Sequence, residues 1–381
     1  MRNYRLIDAD SHTLEPKHIW TTYLPKKFHE RAPKLVKDAD GGDAWLFRPD
    51  TPPMTIGLVT TPGRSYDEIK WTGYTYETIR ASCFDGRARL ADMDIDGVDA
   101  EFMYPSQRTM WSFMADPDPE YHLAGVQAYN NWVHDEFCAA DRERLFALCQ
   151  MPNIGVDAAI AEMKRGKDKG MCGVIISAWP GGEDDLCAAD DKFFAAAEEM
   201  DLPIAIHVNI RRKRAPVVGL DGPAAIARMA LAGMMQFPPS MCDLIMSGVF
   251  DRFPKLTVLG VEVDVGWIPV ALEQLDNFYW RNRAHTGVTI KRLPSEYFHE
   301  HFICTFLTDR HGIANRYEIG VRNMAWSTDF PHHGNDWPYS RKVAGEMFQG
   351  VPKEEVDLIC AGNMIRAFKL PHDPSAARGA R

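Results

Sequence analysis

The alternation of short apolar segments with helical patterns constrains this chain more than any other feature of its sequence. Seven such segments are predicted as strands, after a first strand that contains Leu6 and Ile7, at residues 98–105, 145–152, 172–177, 203–208, 256–262, 302–306 and 324–329. Apolar strands that alternate with helices indicate a parallel sheet covered on both faces. Eight such units predict an α/β fold of the (β/α)8 TIM-barrel type, whose functional residues lie at the carboxyl ends of the strands.

An open, doubly wound sheet is the alternative architecture. Such a sheet normally carries a glycine-rich phosphate loop after an early strand, and neither GxGxxG nor GxxxxGK[ST] follows any strand here. The barrel is therefore the preferred prediction. Helices are predicted at residues 80–93, 121–137, 156–165, 190–200, 224–235, 240–250, 268–280, 340–348 and 353–368.

The segment 17–90 is too long to be a simple crossover between the first two strands. It is rich in proline and polar residues, with Trp20, Trp45 and Trp71 interspersed. This aromatic content argues against a disordered linker. We expect one domain over residues 1–381, in which residues 17–90 form an insertion that folds over one end of the barrel as a lid, an interface, or both.

Composition restricts the partners and the compartment. With a net charge of −10, the chain lacks the basic surface that nucleic acid or an anionic membrane requires. The N-terminus shows no signal region, and no apolar run approaches the roughly 18 residues of a membrane span. The eight cysteines form no CxxC pair, which is typical of reduced thiols in the cytoplasm. We expect a cytoplasmic protein that acts on a small molecule and binds neither nucleic acid nor membrane.

The first strand ends in polar residues that have metal-ligand chemistry. Asp8, Asp10 and His12 alternate along it, so an extended chain places them on one side. Imidazole and carboxylate groups bind zinc, iron and manganese. A strand end with merely solvated polar residues is the alternative for this stretch taken alone.

Other predicted strand ends carry side chains of the same kind. His207 lies in the fifth strand, Glu262 ends the sixth and Asp329 ends the eighth. Taken singly, His207 could be a packed core histidine and Asp329 could cap a turn. These explanations do not account for ligand-type side chains at four separate strand ends. Because the carboxyl ends of barrel strands converge, these side chains are predicted to meet in a metal site.

Several sequence motifs occur in order along nearly the whole chain. They are IDADSHxxEP at the first strand, IAIH at the fifth, and then GVFDRFPKL, VGWIP, WSTDFPH and GNMIRAF. Together they resemble the amidohydrolase superfamily, specifically the amidohydrolase 2 group that includes aminocarboxymuconate semialdehyde decarboxylase. The resemblance implies a distorted (β/α)8 barrel with one divalent metal ion, and it suggests a homo-oligomer.

The resemblance also implies which residues bind the metal. The group's first-strand pair falls on Asp10 and His12, its fifth-strand histidine on His207 and its eighth-strand aspartate on Asp329. Zinc, manganese and iron are the expected metals. The chain departs from the pattern in two places, since many members carry HxH where Asp10 and His12 stand, and the decarboxylases carry a histidine near the position of Glu262.

A metal in such a set indicates a hydrolase or a non-oxidative decarboxylase that acts on a small carboxylated or aromatic molecule through a metal-activated water. Asp329 is expected to accept the proton of the water, His332 to donate to the leaving group, and Glu262 to be a further catalytic residue. A guanidinium holds a carboxylate bidentately. The predicted substrate-binding residues are Arg211, Arg212, Trp71 and His333, and Trp45, Trp179 and Trp337 are further candidates for an aromatic pocket.

Two other functions stay open at this point. A dinuclear iron or manganese oxygenase (a monooxygenase) would hold a second metal ion with Glu262, His332 and Glu15, because carboxylate and imidazole suit both metals. A non-enzymatic subunit would pair with a paralogous active chain. The intact ligand set argues against this last alternative.

Overall fold

The computed structural model describes residues 2–211 and 231–373. Its strands are β1 (Ile7–His12), β2 (Lys34–Lys37), β3 (Asp43–Leu46), β4 (Met54–Thr55), β5 (Ala100–Tyr104), β6 (Leu145–Ala147), β7 (Cys149–Gln150), β8 (Val174–Ile176), β9 (Ile204–His207), β10 (Val258–Val261), β11 (Phe302–Phe306) and β12 (Met324–Trp326). Its α-helices are Ile19–Tyr23, Gly86–Asp96, Gln107–Met114, Pro119–Trp132, Val156–Lys169, Asp191–Met200, Ala232–Met246, Val249–Arg252, Ile268–Thr286, Pro294–His301, Arg310–Ala314, Arg316–Ile319, Ser340–Met347, Lys353–Asp357 and Asn363–Phe368.

Parallel strands close into a barrel. β5 lies between β1 and β6, while β7, β8, β9, β10, β11 and β12 pair in that order. Only Leu148 separates β6 from β7, so the two form one continuous barrel strand. At the last seam, the N–H of Asp329 donates to the carbonyl of Asp10 at 2.9 Å, and the N–H of His12 donates to the carbonyl of Phe330 at 2.6 Å. The predicted α/β barrel is confirmed.

The predicted strands agree with the observed ones in order, whereas several helices differ. The helix expected at 80–93 begins only at Gly86, because the Asp85 side chain caps it by accepting from the N–H of Ala88. The helix expected at 268–280 continues to Thr286 and ends at Gly287, which has a positive φ of 73°. Gln107–Met114 and Pro294–His301 were not predicted as helices. Most of the helix expected at 224–235 lies outside the described residues.

Alternate strand residues fill the interior of the barrel. Ile7, Ala9, Phe102 and Leu259 belong to one buried cluster there. A larger cluster packs between the sheet and the surrounding helices. This arrangement follows from the period of two along each strand. None of the helices in the described ranges is both long enough and apolar enough to cross a membrane.

The insertion after β1 contains its own small sheet. β2, β3 and β4 are antiparallel, in that order. Thr61 joins the insertion to the loop after β12, since its N–H donates to the carbonyl of Pro331 at 3.2 Å and its hydroxyl donates to the carbonyl of His332 at 2.7 Å. The insertion therefore touches the carboxyl end of the barrel, and its role as a lid or interface stays a prediction.

The carboxylate of Asp8 holds the seam between β1 and β12. It accepts from the N–H of Thr328 at 2.8 Å, from the Ser11 hydroxyl at 2.9 Å and from the N–H of Asp10 at 3.1 Å. The Thr328 hydroxyl is a fourth donor. Asp8 is completely buried, so none of these donors has water as a replacement partner.

Replacing Asp8 with alanine is expected to lower the free energy of unfolding by about 3 kcal/mol, because buried donors on both strands then lack an acceptor. Ser11→Ala removes a single hydrogen bond to the same carboxylate and is the matched control, with an expected cost of about 1 kcal/mol. Urea denaturation followed by tryptophan fluorescence measures both values. Equal costs for the two variants would contradict the role assigned to Asp8.

Candidate metal centre

Five acidic and histidine side chains gather at the carboxyl end of the barrel. β1 contributes Asp10 and His12, and β9 ends at His207. Glu262 directly follows β10, and Asp329 lies three residues beyond β12. Because these strands are parallel neighbours or join at the seam, residues up to 319 positions apart in sequence lie side by side.

Their ligand atoms lie close together, and those of a first set, Asp10, His12, His207 and Glu262, all lie within 4.8 Å of one another. The Nε2 atoms of His12 and His207 are 3.0 Å apart, and Oδ1 of Asp10 lies 3.4 Å from each of them. Oδ1 of Asp329 is 3.4 Å from Nε2 of His12, and Oε2 of Glu262 is 3.5 Å from Nε2 of His207. Imidazole nitrogens and carboxylate oxygens directed at a common point are the donor set of a transition-metal site.

Two of the three carboxylates have oxygens without a hydrogen-bond donor, and their nearest cationic groups are the histidines of the same cluster. Within the part of the chain that the structure describes, both side-chain oxygens of Asp10 and Oδ1 of Asp329 are buried without such a donor. A buried carboxylate without such a partner is strongly disfavoured. A divalent cation would neutralise the cluster and occupy these lone pairs, so the residues fit a metal ion.

The pKa values of the cluster residues are shifted by burial and by the charges that lie close together there. Burial raises the pKa of Asp329 well above its usual value, and the negative charges of Glu262 and Asp10 add to the shift. Although burial opposes it, the two histidines hold the pKa of Asp10 below its usual value, with His207 the stronger influence. Burial likewise lowers the pKa of His207, but Asp10 outweighs this and raises it overall. Burial raises the pKa of Glu262 to about 7.

The backbone turns sharply where the strands deliver these side chains. Val208, Glu262 and Asp329 have positive φ angles of 60°, 56° and 58°. Such angles are costly for residues other than glycine and are uncommon outside functional sites, above all for a β-branched residue such as valine. The strained turns thus lie directly beside the candidate ligands.

A second set of candidate ligands overlaps the first. His12, Asp329 and His332 also bring ligand atoms within 4.8 Å of one another. The His332 ring packs edge-on against the His12 ring, with centroids 4.6 Å apart. Burial, reinforced by the neighbouring histidines, lowers the pKa of His332 well below its usual value, so its imidazole is neutral. Because both sets use His12, they describe one extended site.

Glu15 is not part of either set among the described residues. Its carboxylate is buried, and burial raises its pKa to about 7. The hydroxyl of Tyr76 donates to the backbone carbonyl of Glu15 at 2.5 Å. The hypothesis that Glu15 binds a second metal therefore has no geometric support from Glu262 or His332.

The four predicted substrate-binding residues differ in their position relative to the candidate metal ligands. The Arg211 guanidinium stacks over the Trp111 ring at 5.2 Å, and the His333 ring lies 6.3 Å from that of His332. No hydrogen bond or ring contact within residues 2–211 and 231–373 joins Trp71 to the metal cluster. Arg212 lies outside the described residues.

The other tryptophans proposed for an aromatic pocket fall into two groups. Trp45 and Trp337 serve packing, since Trp45 donates to the Tyr76 hydroxyl at 3.0 Å and Trp337 donates to the carbonyl of Asp92 at 3.1 Å. Trp179 is completely buried.

Two residues at the site were missed by the sequence analysis. Tyr104, at the end of β5, places its ring 5.5 Å from that of His207 and 6.2 Å from that of His12. Arg89 is buried in the helix Gly86–Asp96, and it donates to the carbonyl of His12 at 2.7 Å and to Glu101 at 2.7 Å. The position of Tyr104 at a strand end was an available signal, whereas nothing in the sequence around Arg89 pointed to the site.

Comparisons with known proteins agree on one family. The amidohydrolase family model matches residues 18–370. A 2-amino-3-carboxymuconate-6-semialdehyde decarboxylase from Dictyostelium discoideum is 20% identical over 289 residues, which cover 73% of this chain and 74% of that protein.

Two solved structures illustrate the likeness of fold. An amidohydrolase from Mycobacterium avium subsp. paratuberculosis K-10 has a TM-score of 0.76 at 19% identity, covering 97% of this chain and 98% of that one. A 5-carboxyvanillate decarboxylase from Novosphingobium aromaticivorans DSM 12444, complexed with manganese and 4-hydroxy-3-methoxy-5-nitrobenzoic acid, has a TM-score of 0.67 at 16% identity, covering 96% of each chain.

We expect manganese chloride to raise the melting temperature of the metal-free protein by several degrees, because a ligand that binds only the folded state stabilises it. Asp10→Asn and His207→Asn should lose most of this increase, since each removes a candidate ligand. His285→Asn changes an exposed histidine and is the control. Differential scanning fluorimetry over a manganese titration measures the effect, and an unchanged increase in Asp10→Asn would exclude that residue as a ligand.

Proposed function

Because the chain belongs to the amidohydrolase family, we propose that it is a metal-dependent decarboxylase of a small aromatic carboxylic acid. The curated relative and the manganese-containing neighbour are both decarboxylases, which supports this reaction class. The observation that carries the proposal is the group formed by Asp10, His12, His207 and Glu262, whose ligand atoms all lie within 4.8 Å of one another. Asp329 adjoins this group at His12, and oxygens of Asp10 and Asp329 have no hydrogen-bond partner within the described residues.

Asp10, His12, His207 and Asp329 would hold the metal, and manganese is the first metal to test because the structural neighbour contains it. When bound there, a divalent ion supplies positive charge that holds and polarises an anionic substrate oxygen. The candidate ligands would hold that ion from three barrel strands. Arg89 and the seam hydrogen bonds keep β1, which carries Asp10 and His12, in position.

Glu262 is the residue proposed to carry a proton. Decarboxylation breaks the bond between the substrate and its carboxylate, releases CO₂ and requires one proton at the carbon left behind. The Glu262 side chain is 34% exposed, whereas those of Asp10 and Asp329 are 0% and 3% exposed. Only Glu262 among these three carboxylates therefore reaches solvent from which it can be reprotonated. This role takes the place of the histidine that decarboxylases resembling this chain carry at the sixth strand.

Hydrolysis of an amide or lactone is a second candidate function. Asp329 supports it, because its Oδ1 lies beside the metal ligands without a hydrogen-bond donor and is placed to accept the proton of an attacking water. The oxygenase alternative is supported by the second set of ligands, His12, Asp329 and His332. Since that set shares His12 with the first, we favour a single metal ion.

Elemental analysis of protein expressed with iron and manganese supplied is expected to find about one equivalent of divalent metal. Release of CO₂ from a panel of hydroxylated benzoic acids should disappear after treatment with a chelator and return with manganese, because the metal polarises the substrate. Two equivalents that include iron, together with oxygen consumption, would overturn the proposal in favour of an oxygenase. Protein without metal would leave only a non-catalytic role.

Glu262→Gln is expected to lower kcat about 100-fold or more while the metal content stays the same, because the amide cannot supply the proton. Glu273→Gln removes an exposed carboxylate on the following helix and is the control for folding and net charge. Steady-state CO₂ release and elemental analysis on the same preparations separate the two effects. Loss of metal from Glu262→Gln would make Glu262 a ligand instead.

A further inference from the structure

Two half-buried arginines near the metal centre have no carboxylate partner among the described residues. Arg108 is the second residue of the helix after β5, and Arg211 follows β9 by four residues. Within residues 2–211 and 231–373, neither guanidinium forms an ion pair or donates a hydrogen bond. Three other buried or half-buried arginines are paired, namely Arg89 with Glu101 at 2.7 Å, Arg165 with Glu162 at 2.5 Å and Arg316 with Glu355 at 2.5 Å.

Hydrogen bonds and a ring contact join the two segments that carry Arg108 and Arg211, and these joined segments are called the wall below. The N–H of Arg211 donates to the carbonyl of Ser177 at 2.8 Å, and the Ser177 hydroxyl donates to Oε1 of Gln107 at 2.6 Å. Gln107 is the neighbour of Arg108 on the helix. The guanidinium of Arg211 stacks over Trp111, one turn further along that helix. Ser177 therefore ties the two arginine-bearing segments together.

The same wall adjoins the metal centre. Tyr104, whose ring contacts those of His12 and His207, lies only four residues before Arg108. Arg211 follows the candidate ligand His207, which ends β9, by only four residues. The arginines thus border the convergent ligands without belonging to either ligand set.

Keeping these cations unpaired is unfavourable for the folded protein. Arg108 lies in the first turn of its helix, where the helix dipole already concentrates positive charge. Burial lowers the pKa of Arg211, and the like charge of Arg108 lowers it further. Gln107 adds a buried amide nitrogen, Nε2, that has no acceptor within the described residues. An anion would relieve all of these costs together.

We propose that Arg108 and Arg211 form an anion subsite that binds a carboxylate of the substrate, next to the group held at the metal centre. Two guanidinium forks offer bidentate hydrogen bonds that match a carboxylate. The substrate class is then an aromatic acid with two anionic groups, one for each location. The identity of the second group rests on the proposed function, whereas the arginine subsite itself does not require the metal.

Isothermal titration of isophthalate into metal-free protein tests the subsite without any catalysis. We expect Arg108→Gln and Arg211→Gln each to raise the dissociation constant for isophthalate about tenfold or more. Arg87→Gln, which changes an exposed arginine, should leave this constant unaltered. Arg108→Lys keeps the positive charge but loses the forked guanidinium, so its dissociation constant for isophthalate should lie between those of the unchanged protein and Arg108→Gln. It provides a second variant if Arg108→Gln does not fold, as judged by its melting temperature.

The outcomes separate the subsite from the proposed function. Isophthalate binding that is unaffected by Arg108→Gln or Arg108→Lys would overturn the subsite, even in a protein that binds manganese. Arginine-dependent binding in a protein that never takes up metal would support the subsite and refute the decarboxylase. Inorganic phosphate that competes as strongly as isophthalate would show an unspecific anion site and would also overturn the proposal.

Discussion

The hydrogen bonds that close the barrel between β12 and β1 are the constraint on which the candidate site depends. The N–H of Asp329 donates to the carbonyl of Asp10, so a backbone hydrogen bond fixes the position of one aspartate relative to the other. Both of their side chains lie at the candidate metal site. Asp8 secures the same seam from inside by accepting donors from both strands. Ligands from the first and last strands therefore meet only if the barrel closes in this register.

Closure concentrates negative charge that the protein does not neutralise by itself. Asp10, Glu262 and Asp329 surround two histidines at the carboxyl end of the barrel, and strained turns present several of these side chains. Most buried charges in proteins have a partner. A divalent cation would partner the carboxylate oxygens of this cluster that have no hydrogen-bond donor within the described residues, so the architecture fits the expected cofactor.

Opposite charge lies a short way along the same rim. Arg108 and Arg211 have no acidic partner within the described residues, on a chain whose net charge is −10. The rim thus has an acidic half that suits a metal ion and a basic half that suits a carboxylate. Under the proposed function, this polarity would orient an anionic aromatic molecule across the mouth, with the partly exposed Glu262 on the acidic side.

Strand periodicity and parallel topology, both readable from the sequence, predict the barrel and bring Asp10, His207 and Asp329 to the same end whatever loops intervene. The sequence did not predict which other polar residues join them. Glu15 follows the same strand as Asp10, yet it belongs to neither set of candidate ligands among the described residues, whereas Arg108 carries no motif and lies on the helix after β5. These positions depend on the tertiary structure, since loop and helix side chains are directed by packing and hydrogen bonds between distant segments rather than by local periodicity.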